Sequence, residues 1–127
     1  PNAYELGRLV GRTVDDLSSA REAADEARAM GAGTVVCSLG PDGALWVSAE
    51  GAWHAVPPDV KVDSPLGSGD SLLAGVLSAR ADGAEPGEAL QAGVACGTAT
   101  AITPGTDLCH RDDVDAILPD VKVTKLG

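Results

Sequence analysis

The spacing of apolar residues along the chain predicts a mixture of helices and strands. Apolar residues that recur every three or four positions indicate amphipathic helices, whereas alternation or a short continuous apolar run indicates a strand. The run TVVCSL at 34–39 is continuous, which is typical of a strand buried on both faces and most often parallel to its neighbours. The predicted helices cover 2–12, 18–30, 70–80, 86–103 and 111–118, and the predicted strands cover 34–39, 44–48, 52–56, 60–62 and 121–123.

Capping residues mark where the predicted helices begin. Asn2 can cap the first helix, and Glu5 stands three residues later, at the capping-box position. Ser18 or Ser19 is expected to cap the second helix. Pro86 suits the first turn of a helix, where its missing N–H is not needed.

Turn residues divide the middle of the chain into strands. Gly-Pro-Asp-Gly at 40–43 is a strong turn signal. Glu50-Gly51 separates two strand-like runs and predicts a β-hairpin. At 127 residues the chain is long enough for one domain with its own core. The order of helix, strand, hairpin, helix and helix predicts a layered α/β domain.

The predicted helix 86–103 is unusually rich in small residues. Seven Ala and Gly residues allow close approach, either of a second helix or of a flat ligand, and the residues alone favour tight helix packing. They are Ala89, Ala92, Gly93, Ala95, Gly97, Ala99 and Ala101.

The stretch 63–71, DSPLGSGDS, carries the strongest chemical signal. Gly67, Ser68 and Gly69 leave the backbone unshielded, so that its N–H groups can approach an anion. The predicted helix that follows would direct the positive end of its dipole at that anion. Asp70 cannot hold phosphate, because like charges repel, but it could take a proton from an attacking hydroxyl. The pattern indicates a phosphoryl-transfer site, and the structural alternative is an Asp that only caps a helix.

Composition narrows the class of protein further. Nine Lys and Arg residues against nineteen Asp and Glu give a net charge of −10, which argues against a nucleic-acid partner. Cys37, Cys96 and Cys109 are widely spaced, so structural zinc is not indicated, and free thiols in a reducing cytoplasm are expected. No apolar run reaches the length of a membrane span. The chain begins without Met, and we expect it to be a piece of a longer protein.

Four short motifs, in this order and spacing, carry a resemblance to a known family. They are N-x-x-E at 2–5, S-L-G-x-x-G at 38–43, G-S-G-D-S at 67–71 and P-G-T at 104–106. With them the chain resembles the ribokinase-like (PfkB) carbohydrate kinases, in particular the 1-phosphofructokinase and tagatose-6-phosphate kinase branch. The resemblance implies a ribokinase-like (Rossmann-like) layered α/β fold with a β-hairpin. It also implies that 1–127 is the C-terminal, nucleotide-binding part of a kinase whose N-terminal sugar-binding part and lid are absent.

The resemblance implies ATP-dependent phosphoryl transfer to a hydroxyl of a sugar phosphate, with ATP and Mg²⁺ as cofactors. Asp70 would be the catalytic base. Asn2 and Glu5 would arrange Mg²⁺ through its water ligands. The anion hole would be formed by the backbone of Gly67, Ser68 and Gly69. The residues along ATP would be Ser38, Leu39, Gly40, Pro41, Asp42 and Gly43, with Ala95 and Ala101 forming a wall for adenine.

Two departures from the family pattern limit what the resemblance implies. Many members carry an Asp six residues before the base, near a monovalent-cation site, but this chain has Ser64 there and Asp63 one residue earlier. Activation by K⁺ is therefore left open. No stretch of the chain is built to grip a sugar phosphate, so we expect the isolated chain to be inactive without the N-terminal part. The face that would meet that part should be apolar, and a homodimer formed through it is an open alternative.

Two other functions fit parts of the sequence. Gly69-Asp70-Ser71-Leu72 and Asp107-Leu108-Cys109-His110 spell the G-D-S-L and D-x-x-H motifs of an esterase family, with Ser71 as nucleophile and His110 as base. That family places its Ser motif near the start of the domain and uses an Asn in the oxyanion hole, and neither feature fits here. The second alternative is a non-catalytic nucleotide-binding fragment. His54 and His110 are otherwise interpreted as ordinary surface or turn residues.

Overall fold

The computed structural model describes residues 1–63, 66–104 and 109–127. Within these ranges the helices and strands alternate much as the apolar pattern predicts. The helices are α1 (Ala3–Val10), α2 (Leu17–Ala29), α3 (Ser68–Ala81), α4 (Pro86–Ile102) and α5 (Arg111–Ile117). The strands are β1 (Thr34–Ser38), β2 (Ala44–Ser48), β3 (Gly51–Val56) and β4 (Lys122–Leu126), and short 3₁₀ turns cover Gly40–Asp42 and Leu118–Asp120.

The four strands form one antiparallel sheet in the order β1-β2-β3-β4. The run 34–39 is predicted to pair in parallel with its neighbours, and this prediction is wrong for β2, which pairs with β1 in the antiparallel direction. A parallel contact exists only at the outer edge of β1 among the described residues, where Asn2 forms a single bridge with Ser38. The continuous apolar run reflects helices packed on both faces of the sheet, and burial alone does not determine strand direction.

Each face of the sheet has its own apolar core, which confirms the layered α/β arrangement. On one face, α1 and α2 pack against Val35, Cys37 and Val47. On the other, α4 packs against Ala44, Trp46 and other buried side chains, with α3 and α5 completing the layer.

Glycines on α3 and α4 let the two helices touch backbone to backbone. A Cβ atom at Gly75 would lie 3.0 Å from the Cα of Gly93. A Cβ atom at Gly93 would lie 2.4 Å from Cγ2 of Val76 and 2.7 Å from the carbonyl oxygen of Leu72. This close contact confirms helix packing as a role of the small residues on α4.

The predicted N-cap residue is confirmed for α1 but is a different residue in α2. Asn2 and Glu5 form the expected capping box, with bonds of 2.8 and 2.9 Å between side chains and backbone N–H groups. The N-cap residue of the second helix is Asp16, not Ser18 or Ser19, because the Asp16 carboxylate accepts the Ser19 N–H at 2.7 Å. This bond, followed by the Ser19 hydroxyl, lowers the pKa of Asp16.

Two strand predictions change. The segment 60–62 is not a strand, because Pro57 and Pro58 fix the backbone before it and offer no N–H groups to a sheet. The last strand begins at 122 and is longer than predicted, because β4 pairs along the edge of β3. The predicted β2–β3 hairpin is confirmed.

Candidate active site

Backbone pairing joins two motifs that lie far apart in sequence. Asn2 forms a parallel bridge with Ser38. The Ser38 N–H donates to the Pro1 carbonyl oxygen at 2.9 Å. The start of α1 and the turn 40–43 therefore adjoin at the end of β1.

Two glycines shape the turn 40–43. The Leu39 N–H donates to the Gly43 carbonyl oxygen at 2.7 Å, which closes the loop. Gly43 has φ +91°, and a Cβ atom there would lie 1.8 Å from the Ala55 carbonyl oxygen, so no side chain fits. Gly40 also has a positive φ, +59°, but a Cβ atom there would meet no atom within 4 Å. The turn thus packs against β3 at Gly43 and presents a bare backbone at Gly40.

The start of α3 has the features of an anion site. Gly67 is the N-cap residue with φ +81° and has no side chain of its own to cap the helix. The Ser71 N–H makes the first intrahelical bond, to the Gly67 carbonyl oxygen at 3.0 Å. Asp70 lies in this first turn with its side chain exposed, while Gly69 leaves the backbone open on one side. The positive helix end favours negative charge here, whether that of Asp70 or of a ligand.

A cavity of about 350 Å³ lies between the turn 40–43, the segment 57–62 and the start of α3, with α4 as its floor. Its volume is in the range of small-molecule sites. Of the predicted residues it brings together Ser38, Gly40, Pro41, Gly43, Ser68, Gly69 and Ala101. It also includes Gly97 and Thr98, which lie between Ala95 and Ala101 on the small-residue helix. Its other lining residues carry no predicted role: Pro57, Pro58, Asp59, Val60, Val62, Leu72 and Val94.

The floor of this cavity is formed by one face of α4, whose residues recur with a helical period. Val94, Gly97, Thr98 and Ala101 follow at intervals of three, one and three positions and so share one face of α4. Ala95 lies outside the cavity, completely buried in the core beside the sheet. Ala95 therefore does not line this cavity, whereas Ala101 does.

A second cavity, of about 510 Å³, adjoins the same turn from the α1 side. Asn2, Leu39 and Asp42 line it, together with Ser38 and Gly40, which line both cavities. Its wall also carries Asp15, Asp16 and His54, and the ring nitrogen Nε2 of this histidine lies 2.8 Å from the Asp42 carbonyl oxygen.

The predicted magnesium residues serve a structural role in this conformation. Oδ1 of Asn2 and Oε1 of Glu5 both accept backbone N–H groups in the capping box, and both side chains are exposed. The described part of the chain contains no cluster of three or more His, Cys, Asp or Glu side chains that could hold a metal ion. A cation at Asn2 and Glu5 would therefore be bound mostly through water, which suits Mg²⁺.

The residues of the esterase alternative are poorly placed. Ser71 is buried, and its hydroxyl accepts a hydrogen bond from the Thr100 hydroxyl at 2.7 Å. His110 is exposed at the start of α5. A nucleophile must be reachable by its substrate, so this burial opposes the esterase interpretation. Asp107 of that motif, like Ser64, Gly105 and Thr106 of the family motifs, lies outside the described residues.

The three cysteines have free thiols, as predicted. Burial raises the pKa of the Cys37 thiol, and burial followed by the charge of Cys109 raises that of Cys96.

Among the helices in the described ranges, none has the length and apolar character that crossing a bilayer requires.

Comparison with known proteins agrees with the motifs. A family model described as pfkB family carbohydrate kinase matches residues 1–113. The chain is 42% identical over 118 residues to the ATP-dependent 6-phosphofructokinase isozyme 2 of Escherichia coli, and the alignment covers 92% of this chain and 38% of that protein. It is 38% identical over 124 residues to the 1-phosphofructokinase of Haloferax volcanii, covering 98% and 41%.

A crystal structure of phosphofructokinase-2 from Escherichia coli in complex with potassium matches 94% of this chain and 39% of that one, with 41% identity and a TM-score of 0.88. This likeness confirms the sugar-kinase α/β fold implied by the motifs. The chain spans about two fifths of the length of the curated relatives it matches. It belongs to the PfkB family of carbohydrate kinases.

Proposed function

We propose that this chain supplies the ATP site, the anion hole and the catalytic base of a kinase that phosphorylates a hydroxyl of a sugar phosphate. The observation that carries the proposal is the cavity of about 350 Å³, which joins a glycine turn to the start of α3. The curated relatives named above are both phosphofructokinases, which supports this acceptor class.

The residues of the cavity suit a nucleotide in two ways. Val60, Val62, Val94 and Ala101 give it apolar walls that can hold a flat base. The start of α3 offers open backbone at Gly69 and a positive dipole end, which attract phosphates, and the turn 40–43 leaves its backbone open to a ligand at Gly40. ATP would supply the phosphoryl group, and Mg²⁺ would neutralise part of its charge.

Asp70 is the residue we assign as general base. Its exposed carboxylate lies in the first turn of α3, beside the backbone of Ser68 and Gly69 that lines the cavity. An acceptor hydroxyl bound there would lose its proton to Asp70 as it attacks, and the helix start would stabilise the charge on the transferring group. In the role of base, Asp70 is not needed to bind the nucleotide.

The acceptor and its binding residues lie beyond this chain in our proposal. Leu66, Leu73 and Leu77 are exposed apolar residues at the start and along α3. They support the expectation of an apolar face that meets the N-terminal part of the same kinase.

The acceptor would be fructose 1-phosphate, fructose 6-phosphate or tagatose 6-phosphate. A location in the cytoplasm follows from the metabolism of these sugar phosphates. Monovalent-cation dependence stays open, although one relative's structure contains potassium.

Titration of the chain with ADP by calorimetry, with and without Mg²⁺, tests the nucleotide site. We expect saturable binding that Val62→Asp weakens about tenfold or more, because it places a carboxylate in the cavity wall. Leu77→Asp is the matched control, since it adds the same charge to an exposed apolar position away from the cavity. Asp70→Ala should bind ADP with unchanged affinity. Equal effects of the two Asp substitutions would refute the cavity as the nucleotide site.

Glu5→Gln separates the metal role from the cap. Glutamine keeps the capping box, because its side-chain oxygen can still accept the Asn2 N–H. We therefore expect unchanged thermal stability but a weaker dependence of ADP binding on Mg²⁺. If Glu5→Gln leaves the Mg²⁺ dependence intact, Glu5 is a capping residue only.

A further inference from the structure

We propose that the buried hydroxyl pair of Ser71 and Thr100 is a positioning element that fixes the first turn of α3 on α4. This inference rests on the proposed function, because the turn it holds is the proposed anion site. The Thr100 hydroxyl donates to the Ser71 hydroxyl at 2.7 Å. Ser71 directly follows Asp70, and the two hydroxyl-bearing residues are only 8% and 2% exposed.

The rest of the α3–α4 contact is close but not directional. It consists largely of glycines and small or branched apolar side chains, such as Gly75, Val76 and Gly93. Apolar contacts of this kind resist separation of two helices but allow small shifts along their axes, because they have no preferred direction. A buried hydrogen bond requires a set distance and angle, so the Ser71–Thr100 bond fixes the register of the two helices at the end near the cavity.

Neighbouring contacts extend this effect to the loop before α3. A Cβ atom at Gly67 would lie 3.9 Å from Cγ2 of Thr100, so the threonine methyl group is next to the N-cap residue. One turn earlier on α4, a Cβ atom at Gly97 would lie 3.0 Å from the Ser68 carbonyl oxygen. The Asp63 N–H donates to the Ala101 carbonyl oxygen at 2.9 Å. The last turns of α4 therefore support the start of α3 and the residues before it at these three points, and the Ser71–Thr100 pair adds a side-chain hydrogen bond to them.

Thr100→Val tests the role, because it exchanges the hydroxyl for a methyl group and keeps the side-chain shape. Thr103→Val is the matched control: its hydroxyl is equally buried on the same helix end but bonds the Ala99 carbonyl oxygen within its own segment. Amide hydrogen exchange gives a readout that needs no ligand. We expect Thr100→Val to speed exchange at Ser71 and Leu72 about tenfold relative to the amides of β2, which report on global opening.

In the control, this ratio should stay unchanged. Equal exchange ratios in both variants would overturn the positioning role. Ser71→Ala removes the acceptor instead of the donor and should reproduce the faster exchange, which protects the test against a Thr100→Val chain that fails to fold.

Ligand affinities then show whether the held turn positions a phosphate group. Thr100→Val should weaken ADP binding about fivefold or more and change adenosine binding by less than about twofold, because only the phosphates reach α3. Equal weakening of both ligands would indicate general loosening and overturn the phosphate role. If the unsubstituted chain binds neither ligand, the proposed function is refuted, while the exchange ratios still decide whether the hydroxyl pair anchors the turn.

Discussion

Gly93 is the position where the packing of α3 on α4 can be tested most directly by adding one methyl group. In a Gly93→Ala chain the new Cβ would lie 2.4 Å from Cγ2 of Val76, 2.7 Å from the Leu72 carbonyl oxygen and 3.3 Å from the Val76 nitrogen. Comfortable contacts between carbon atoms are about 3.5–4.0 Å. Rotation of the Val76 side chain can relieve the first contact, but the Leu72 oxygen belongs to the backbone. Relief of the second contact therefore requires α3 and α4 to move apart by about half an ångström or more.

Two opposing effects set the size of the change. Replacing Gly by Ala inside a helix stabilises the helix by about 1 kcal/mol. Overpacking a dense contact costs about 1–3 kcal/mol, and the upper part of that range applies because backbone must move. We therefore expect a net loss of about 2 kcal/mol in the free energy of unfolding. For a domain of this length that corresponds to a melting temperature lower by about 8 °C.

Urea unfolding followed by circular dichroism measures this loss, with calorimetry for the melting temperature. Gly33→Ala is the control, because a Cβ atom there would meet no atom within 4 Å, and we expect a change below about 1 kcal/mol. Combining Gly93→Ala with Val76→Ala should cost less than the sum of the two single substitutions, with a coupling energy of about 1 kcal/mol. A Gly93→Ala chain as stable as the unsubstituted chain would show that the two helices are not in backbone contact, and the reasoning would fail.

Three further changes test other parts of the fold. Gly43→Ala should lower the free energy of unfolding, measured by urea titration, by about 3 kcal/mol or more, because its Cβ would overlap a carbonyl oxygen of β3. Gly40→Ala is the control and should lower it by about 1 kcal/mol, because only its positive φ disfavours alanine. The Ser19 N–H lowers the pKa of Asp16, so the carboxylate stabilises the fold above its unfolded pKa of about 3.9, and this contribution is lost as the pH falls through the lower, folded value. The stability of the unsubstituted chain relative to Asp16→Asn should therefore decrease below about pH 4. A stability difference that does not depend on pH would contradict this cause. Because burial raises the pKa of Cys37, iodoacetamide at pH 8 should modify this thiol slowly in the folded chain and quickly in urea, as mass spectrometry would show; equal rates would contradict its burial.

The elements predicted well are those whose signals are local. The hairpin follows from a turn pair between two strand-like runs, and the cap of α1 follows from side chains three residues apart, so neither needs knowledge of the tertiary fold. The strand direction at 34–39 cannot be read from the sequence, because a continuous apolar run is compatible with helices on both faces of any sheet, parallel or antiparallel. The segment 60–62 alternates like a strand but follows two prolines, and it lines the cavity with no strand partner among the described residues.

The sequence points to candidate-site residues most directly where the backbone geometry requires glycine, and least directly where tertiary contact decides which residues line the cavity. Gly43 and Gly67 were recognisable, since positive φ and close approach require glycine and leave a trace in the sequence. The sequence does not show that Ala95 faces the core, because a helix so rich in small residues has little amphipathic contrast to indicate which side is buried. The period of Val94, Gly97 and Ala101 becomes informative only once one of them is known to line the cavity.

Residues of the proposed site also hold the fold together, and this explains why sequence alone cannot separate the two roles. Asn2 and Glu5 match a metal motif and at the same time complete a capping box. Gly97 lines the cavity and lets the Ser68 carbonyl oxygen approach α4, while Ser71 belongs to the G-S-G-D-S motif and bonds to Thr100. A site that fixes charges within a few tenths of an ångström needs its supporting contacts in the same turns that carry it. The informative substitutions are therefore those that keep one role and remove the other, as Glu5→Gln and Thr100→Val do, whereas a change that destroys both roles cannot show which of them a motif encodes.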